Sequence, residues 1–129
     1  MRSLIMVATL AAALVGGAAP AGTPAHDITI RMSNFKYDPA TILLHRGEAY
    51  ALHFRNDASG GHDFVAREFF ASSRIAPEDS GKLAEGRVAV AGGEAVTIHL
   101  IPERAGLFAS RCSHFMHGMF GMTGKIQVE

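Results

Sequence analysis

The only cysteine of the 129-residue chain lies near its C-terminal end, among other side chains that bind metals. Cys112 is followed by His117 and then by Met122, with four residues in each interval. Thiolate and thioether sulfur together with imidazole suit copper far better than magnesium or calcium. A copper site with one cysteine and a weak axial methionine takes two histidines, so a second histidine is required, and His62 is the leading candidate.

Two nearby residues compete for these roles. His114 is a rival for His117, although it lies two residues after Cys112, a spacing that in extended chain holds the two residues about 6.6 Å apart rather than bringing their side chains to one ion. Met119 is a rival for Met122, because methionines recur at every third residue here, as in a helical apolar stripe. Cys112 itself has a plain structural alternative, since free cysteines are often buried and inert. A turn histidine bonded to backbone is the corresponding alternative for His62.

Two motifs resemble those of the small cupredoxins of the plastocyanin/azurin type. The first is Cys112-x4-His117-x4-Met122-x-Gly124, followed by a last strand, and the second is the turn Asn56 to Gly61 before His62-Asp63-Phe64. The resemblance covers nearly all of the chain after residue 26. It implies one type 1 (blue) copper ion per chain, with His62, Cys112, His117 and Met122 as ligands. The Met-x-Gly spacing of the family favours Met122 over Met119.

The sequence departs from the family pattern in two places. No glycine or proline lies within Ser113–Met116, which affects the expected shape of the ligand loop. Asp63 follows His62 where the family often has asparagine, whose side chain usually braces the two ligand loops. A carboxylate cannot donate a hydrogen bond unless it is protonated, so we expect the bracing to be altered.

The remaining pattern predicts the elements that would position these ligands. Polar and apolar residues alternate in Asp27–Met32, Glu48–Arg55 and Glu94–Ile101, with turn signals between them, as in β-strands. With the resemblance, this predicts an all-β Greek-key sandwich of about 7–8 strands. Residues 67–85 break the alternation and are predicted to form an excursion with one short helix, because Pro77 and the acids after it suit a helix start.

The first 21 residues resemble a secretory signal peptide. Arg2 precedes an apolar run from Leu4 to Val15, and Ala19-Pro20-Ala21 is a cleavage-site pattern. The apolar run is short for a membrane span, which needs about 20 residues. We therefore predict a cut after Ala21, a mature domain of residues 22–129, and a periplasmic or otherwise exported location without stable membrane association.

The net charge of the mature chain excludes some partners. Lys+Arg falls from 12 to 11 with the loss of Arg2, against 12 Asp+Glu, so the mature net charge is about −1. That balance does not attract nucleic acid.

The ligand set favours a one-electron carrier that cycles between Cu(I) and Cu(II). The alternative is a periplasmic copper-handling protein, a chaperone, scavenger or resistance factor, because thioethers favour Cu(I). Nothing indicates an enzyme.

The residues around His117 predict a docking site for a redox partner. Apolar side chains gathered round an exposed ligand mark interaction sites, and weak redox complexes use small interfaces. A monomer is expected. The residues of this predicted docking site are Phe115, Met116, Met119 and Phe120.

Overall fold

Ten short strands form most of the part of the chain that the structure describes. It is a computed structural model and describes residues 25–114 and 121–129. In chain order the elements are β1 (His26–Ser33), β2 (Lys36–Asp38), β3 (Thr41–Leu44), β4 (Tyr50–Asn56), β5 (His62–Val65), α1 (Arg67–Ala71), β6 (Ser73–Ile75), a 3-10 helix (Pro77–Lys82), β7 (Arg87–Val90), β8 (Ala95–Pro102), β9 (Gly106–Arg111) and β10 (Thr123–Val128).

The strands form two five-stranded sheets. The first sheet has the order β2-β1-β4-β8-β6, and the second has the order β3-β10-β9-β5-β7. Most neighbours are antiparallel, but β1 pairs with β4 and β3 with β10 in parallel. The predicted all-β sandwich is confirmed. The structure has more strands than predicted because it includes short ones, such as β2 and β6 with three residues each. Three residues are too few to show an alternation in the sequence.

The core lies between the apolar faces of the two sheets. As the alternation in Glu48–Arg55 predicts, Tyr50, Leu52 and Phe54 of β4 are buried together, while His53 is only half-buried. Ala51, predicted to share the outward face of His53, is buried as well. Both sheets contribute large side chains to this one cluster, which is what allows each to remove an apolar face from water. The largest members that are almost fully buried include Phe54, Leu52, Ile98, Ile30, Phe64, Ile126 and Val88.

The predicted excursion contains two helical pieces and a strand. Helix α1 buries Phe69 and Phe70, and the ring of Phe69 lies 5.7 Å from that of Phe108, in an edge-to-face arrangement. Strand β6 then joins the edge of the first sheet, and the 3-10 helix starts with Pro77, as the sequence suggested. No helix in residues 25–114 and 121–129 is long and apolar enough to cross a membrane.

Asp79 fastens the 3-10 helix to strand β8. Its side chain is 2% exposed and accepts hydrogen bonds from the backbone N–H of His99 at 2.8 Å and from Lys82 at 2.5 Å. The imidazole Nδ1 of His99 lies 2.8 Å from the same carboxylate. Burial raises the pKa of Asp79, but the hydrogen bonds from Lys82 and His99 outweigh it and lower that pKa to about 2.

We expect Asp79→Asn to destabilise the protein at neutral pH and to have a smaller effect in acid. The folded-state pKa lies below the unfolded value of 3.8, so this carboxylate contributes stability above that value and loses it as pH falls towards about 2. The shift corresponds to about 2 kcal/mol. Urea unfolding at pH 7 and near pH 2.5 checks it, and an equal loss at both pH values would contradict it.

Candidate metal centre

Three of the four predicted ligands meet at one end of the second sheet. His62 is the first residue of β5, Cys112 directly follows β9, and Met122 directly precedes β10. All three are buried, with exposures of 2%, 2% and 0%. The Nδ1 atom of His62 lies 3.9 Å from the Sγ atom of Cys112. His117 lies outside the described residues, as do its neighbours Phe115, Met116, Met119 and Phe120.

Strand pairing explains why distant residues converge here. Strands β9 and β10 are antiparallel, with Arg111 opposite Thr123, and the ladder continues into a 3.0 Å hydrogen bond from Cys112 N–H to the carbonyl of Met122. Strand β5 pairs with β9 through Val65 and Arg111, which brings the chain around His62 alongside Cys112. His62 and Cys112 are 50 positions apart in the sequence. They therefore become neighbours only in the folded state.

Gly124 shows why the last motif has glycine two residues after the methionine. A Cβ atom at this position would lie 2.7 Å from the carbonyl oxygen of Ala40 and 2.8 Å from the hydroxyl of Ser110. Any side chain would push β10 away from those neighbours. The glycine thus keeps β10 close to the segments around it, and Met122, which directly precedes β10, is held with it.

A second glycine fixes the loop before His62. A Cβ atom on Gly92 would lie 2.2 Å from the carbonyl oxygen of Ser59, so the loop 57–61 packs directly on the turn after β7. Asn56 fixes the same loop through hydrogen bonds. Its amide donates to the carbonyls of Gly60 at 2.8 Å and of Val90 at 3.0 Å. Its side-chain oxygen accepts from the N–H of Ala58 at 2.9 Å.

Asp63 joins the two ligand-bearing segments. Its fully buried carboxylate accepts the backbone N–H of Ser113 at 2.6 Å and also the hydroxyl of that residue. Arg87 donates to it at 2.5 Å from the neighbouring strand β7. The sequence led us to expect an altered brace, because a carboxylate cannot donate. The structure shows how it is altered: Arg87 and Ser113 donate, and the carboxylate of Asp63 accepts.

The charge of this brace is set by its partners. Burial raises the pKa of Asp63, but the hydrogen bonds from Arg87 and Ser113 outweigh burial and leave that pKa below its usual value. The backbone carbonyl of the same residue accepts the hydroxyl of Tyr37 at 2.5 Å. Both the side chain and the main chain of Asp63 are therefore fixed, and so is the strand that begins at His62.

Sequence reasoning did not find Arg87, Ser113 or Tyr37. Ser113 adjoins the cysteine, so its place gave a weak signal, but a serine after a cysteine does not indicate which carboxylate it binds. Arg87 and Tyr37 lie 24 and 26 residues from Asp63. Only the strand order of the second sheet places β7 beside β5, and a single sequence does not specify that order.

The described donors fit a copper ion. A metal held at about 2.3 Å from a thiolate and about 2.0 Å from an imidazole separates the two donor atoms by about 3.5–3.9 Å, and the observed separation is 3.9 Å. Burial raises the pKa of the Cys112 thiol, so its proton must be displaced when a metal binds. With the buried thioether of Met122, the set is soft and largely shielded from water, as a copper-thiolate centre requires.

Two other histidines, His114 and His53, contact other side chains. His114 is partly exposed, its Nε2 lies 3.9 Å from the carboxylate of Asp63, and its ring centre is 6.3 Å from that of His62. His53 contacts Asp27 at 2.7 Å and Thr97 at 2.8 Å on the outer face of the first sheet. Within the described ranges, no three histidine, cysteine, aspartate or glutamate side chains group as metal ligands.

The fold and the donor set are those of a copper-binding β-sandwich protein. The sequence model of the family described as "Copper binding proteins, plastocyanin/azurin family" matches residues 24–129. This chain belongs to that family. The predicted resemblance to cupredoxins is thereby confirmed. No curated protein matches the chain significantly by sequence.

Solved structures of low sequence identity share the fold. Reduced auracyanin from the photosynthetic bacterium Roseiflexus castenholzii superposes with a TM-score of 0.61 at 17% identity, covering 81% of this chain and 98% of its own. Auracyanin A, described as a "blue" copper protein from Chloroflexus aurantiacus, gives 0.60 at 14% identity, with 82% and 100% covered. McoA multicopper oxidase from Aquifex aeolicus gives 0.62 at 15% identity, with 83% of this chain but 30% of the oxidase covered.

Proposed function

We propose that the mature chain is an exported type 1 copper protein that carries one electron at a time. The proposed ligands are His62, Cys112, His117 and Met122, with one copper ion per chain. The observation that carries the proposal is the buried pair of His62 and Cys112, 3.9 Å apart, beside the buried Met122. Bound copper would supply the Cu(I)/Cu(II) couple.

The protein's own contribution is rigidity. An electron carrier needs ligands that move little when the metal changes oxidation state. Two hydrogen bonds from Ser113 to Asp63 tie the segment of Cys112 to that of His62, and a third bond, from Arg87, fixes the same carboxylate to β7. Gly92 and Asn56 fix the loop before His62 from the other side. Such a centre favours electron exchange over release of the metal.

Copper handling is the second candidate, and one experiment separates the two. The methionines beyond Cys112 keep it open, because thioethers favour Cu(I). We expect the copper-loaded protein to give a reversible one-electron wave in voltammetry and to keep its Cu(I) against a competing chelator over the same period. Rapid loss of copper to the chelator, without a reversible wave, would favour the copper-handling function.

Replacing the axial thioether is expected to raise the reduction potential. In Met122→Leu a weak donor that favours Cu(II) is lost and the surroundings become more apolar, while copper remains bound. Met122 is fully buried next to Cys112, whereas Met119→Leu, as the matched control, is expected to change the potential much less. Voltammetry decides, and the reverse order would assign the axial role to Met119.

The N-terminal segment is proposed to direct export. Residues 1–21 would be removed as a signal peptide, so that the mature protein starts at Gly22. The family match begins at residue 24, just after the proposed cut. The intact mass of the protein recovered from the periplasm checks this, and a mass that retains residues 1–21 would contradict it.

The proposed docking site for a redox partner lies around His117 and includes Phe115, Met116, Met119 and Phe120. Met116→Lys is expected to slow electron exchange with the partner without changing the visible spectrum. Unchanged exchange with loss of copper transfer to an acceptor protein would instead support copper handling.

A further inference from the structure

The outer side of the second sheet carries positive charge next to the metal centre. The side chains of Arg111 and Lys125 point outward from β9 and β10, and together with Arg67 at the start of α1 they line one open depression. Glu68 is the only acidic residue that lines it. We call this surface, with the outward residues of β3, β9 and β10, the basic face.

The cations of the basic face are available to a partner. Arg67, Arg111 and Lys125 are exposed. Among the described residues, none of the three forms an ion pair within 4.0 Å. By contrast, Arg87 on the same sheet is neutralised by Asp63. Glu129 lies at the far end of the same face, where its carboxylate accepts a hydrogen bond from Gln127. The positive charge is therefore concentrated in the depression next to Cys112, where three cations stand against Glu68 and create a local field that attracts anions.

An apolar row lies on the same face. Gln127 of β10 pairs with Leu43 of β3 on one side and with Leu107 of β9 on the other, and all three point outward. Leu43 is 52% exposed and Leu107 is 65% exposed, and they are two of the three large apolar residues that the described surface exposes. Exposed apolar groups beside charged ones are typical of protein interfaces.

The register places the basic face against the metal centre at one end. Arg111 is paired with Thr123 and is followed by Cys112, whereas the leucine row lies four residues further from the centre along β9. A protein bound to this face would therefore lie beside the copper ligands. A partner that presents acidic residues around a small apolar patch would match both the charges and the leucines.

We propose that the basic face is the part of the docking surface that selects an acidic redox protein as the electron-transfer partner. The inference rests on the proposed electron-carrier function. Complementary charge acts mainly on specificity and on the rate of encounter, so the face would select the partner and speed its encounter with the end of the sheet that carries Cys112. Bound copper would exchange one electron with the partner, so that Cu(I) is oxidised to Cu(II) as the partner is reduced, or the reverse.

Charge reversal tests the face through kinetics. The variant R67E/K125E removes two of the exposed cations but keeps Arg111, which adjoins Cys112. The matched control R31E/R74E makes the same change in net charge on the first sheet, where both arginines form exposed ion pairs of small energetic value. Each Cu(I)-loaded protein is mixed with hexacyanoferrate(III), a trianion that accepts one electron, and separately with tris(phenanthroline)cobalt(III), a trication.

We expect R67E/K125E to slow reaction with the anionic reagent several-fold more than the control does at low ionic strength, and to accelerate reaction with the cation. The difference should disappear in about 1 M salt, where charges are screened within about 3 Å. Equal effects in the two variants would overturn the proposal. If the wild-type protein reacts with neither reagent, the proposed electron-carrier function fails, and the binding experiment below still decides whether the face binds acidic protein.

A binding experiment tests the face without electron transfer. The probe is the peptide Glu-Glu-Leu-Glu-Glu-Leu-Glu-Glu, and its control carries lysine in place of every glutamate. In NMR spectra of the Cu(I)-loaded protein, the acidic peptide should shift the amide signals of Lys125, Arg111 and Leu107, and the basic peptide should not. No shifts, shifts confined to the first sheet, or the same pattern from concentrating the protein alone, which indicates self-association, would overturn the proposal.

Discussion

Cys112→Ser is expected to abolish the intense visible colour of the copper-loaded protein and to lower its copper affinity more than about 100-fold. Loss of residues that only support a ligand costs about 10–100-fold in metal affinity, and Cys112 is proposed as the strongest ligand itself. The thiolate is also the proposed source of the charge-transfer absorption, which a hydroxyl cannot replace. Absorption spectroscopy and competition with a copper chelator measure the two effects.

The matched control for this variant is Met122→Leu, which changes another buried residue of the proposed centre but keeps the thiolate. It is expected to keep an intense band. Metal-free Cys112→Ser should still fold, because serine is nearly isosteric with cysteine. The hydrogen bond from the backbone N–H of residue 112 to the carbonyl of Met122 also remains. An unchanged visible band in Cys112→Ser would show that the metal binds elsewhere.

Asp63→Ala is expected to destabilise the metal-free protein by about 3 kcal/mol and to weaken copper binding about 10–100-fold. The substitution leaves the N–H and hydroxyl of Ser113 and the guanidinium of Arg87 without their acceptor. Arg87 is 42% exposed and regains water, so the expected cost lies at the lower end of the range for a broken buried ion pair. Urea unfolding of the metal-free protein and chelator competition measure the two effects.

Asp57→Ala is the matched control, because it also removes one negative charge but at the surface. Asp57 forms ion pairs with Arg31 and Arg55 at the surface, and such pairs contribute about 1 kcal/mol or less. The loss of unfolding free energy in Asp63→Asn should lie between the losses in Asp57→Ala and Asp63→Ala. The amide keeps an acceptor oxygen for one partner but loses the charge. If Asp63→Ala costs no more than Asp57→Ala, the carboxylate does not hold the two segments together.

The sequence predicts the class of fold because burial has a period that can be read directly. In β4, apolar side chains at every second position, Tyr50, Leu52 and Phe54, all lie in the core. The predicted break at residues 67–85 is also real, although it contains α1, β6 and a 3-10 helix rather than a single helix. Strand β6 escaped prediction because three residues are too few to establish an alternation.

The sequence proposes ligands more readily than it reveals the residues that hold their segments in place. Cysteine, histidine and methionine are chemically distinctive, so their spacing indicates a metal site even without a structure. Arg87 and Ser113 are ordinary surface types, and their role depends on which strands are neighbours. Asp63 was identified as a departure from the family, but only the fold reveals the donors that surround it.

The visible absorption spectrum of the mature protein, titrated with Cu(II), tests the central claim most directly. If His62, Cys112, His117 and Met122 form a type 1 centre, an intense charge-transfer band should grow with added metal and stop at one equivalent. A weak, pale absorption, or colour that continues to increase beyond one equivalent, would contradict the proposed site.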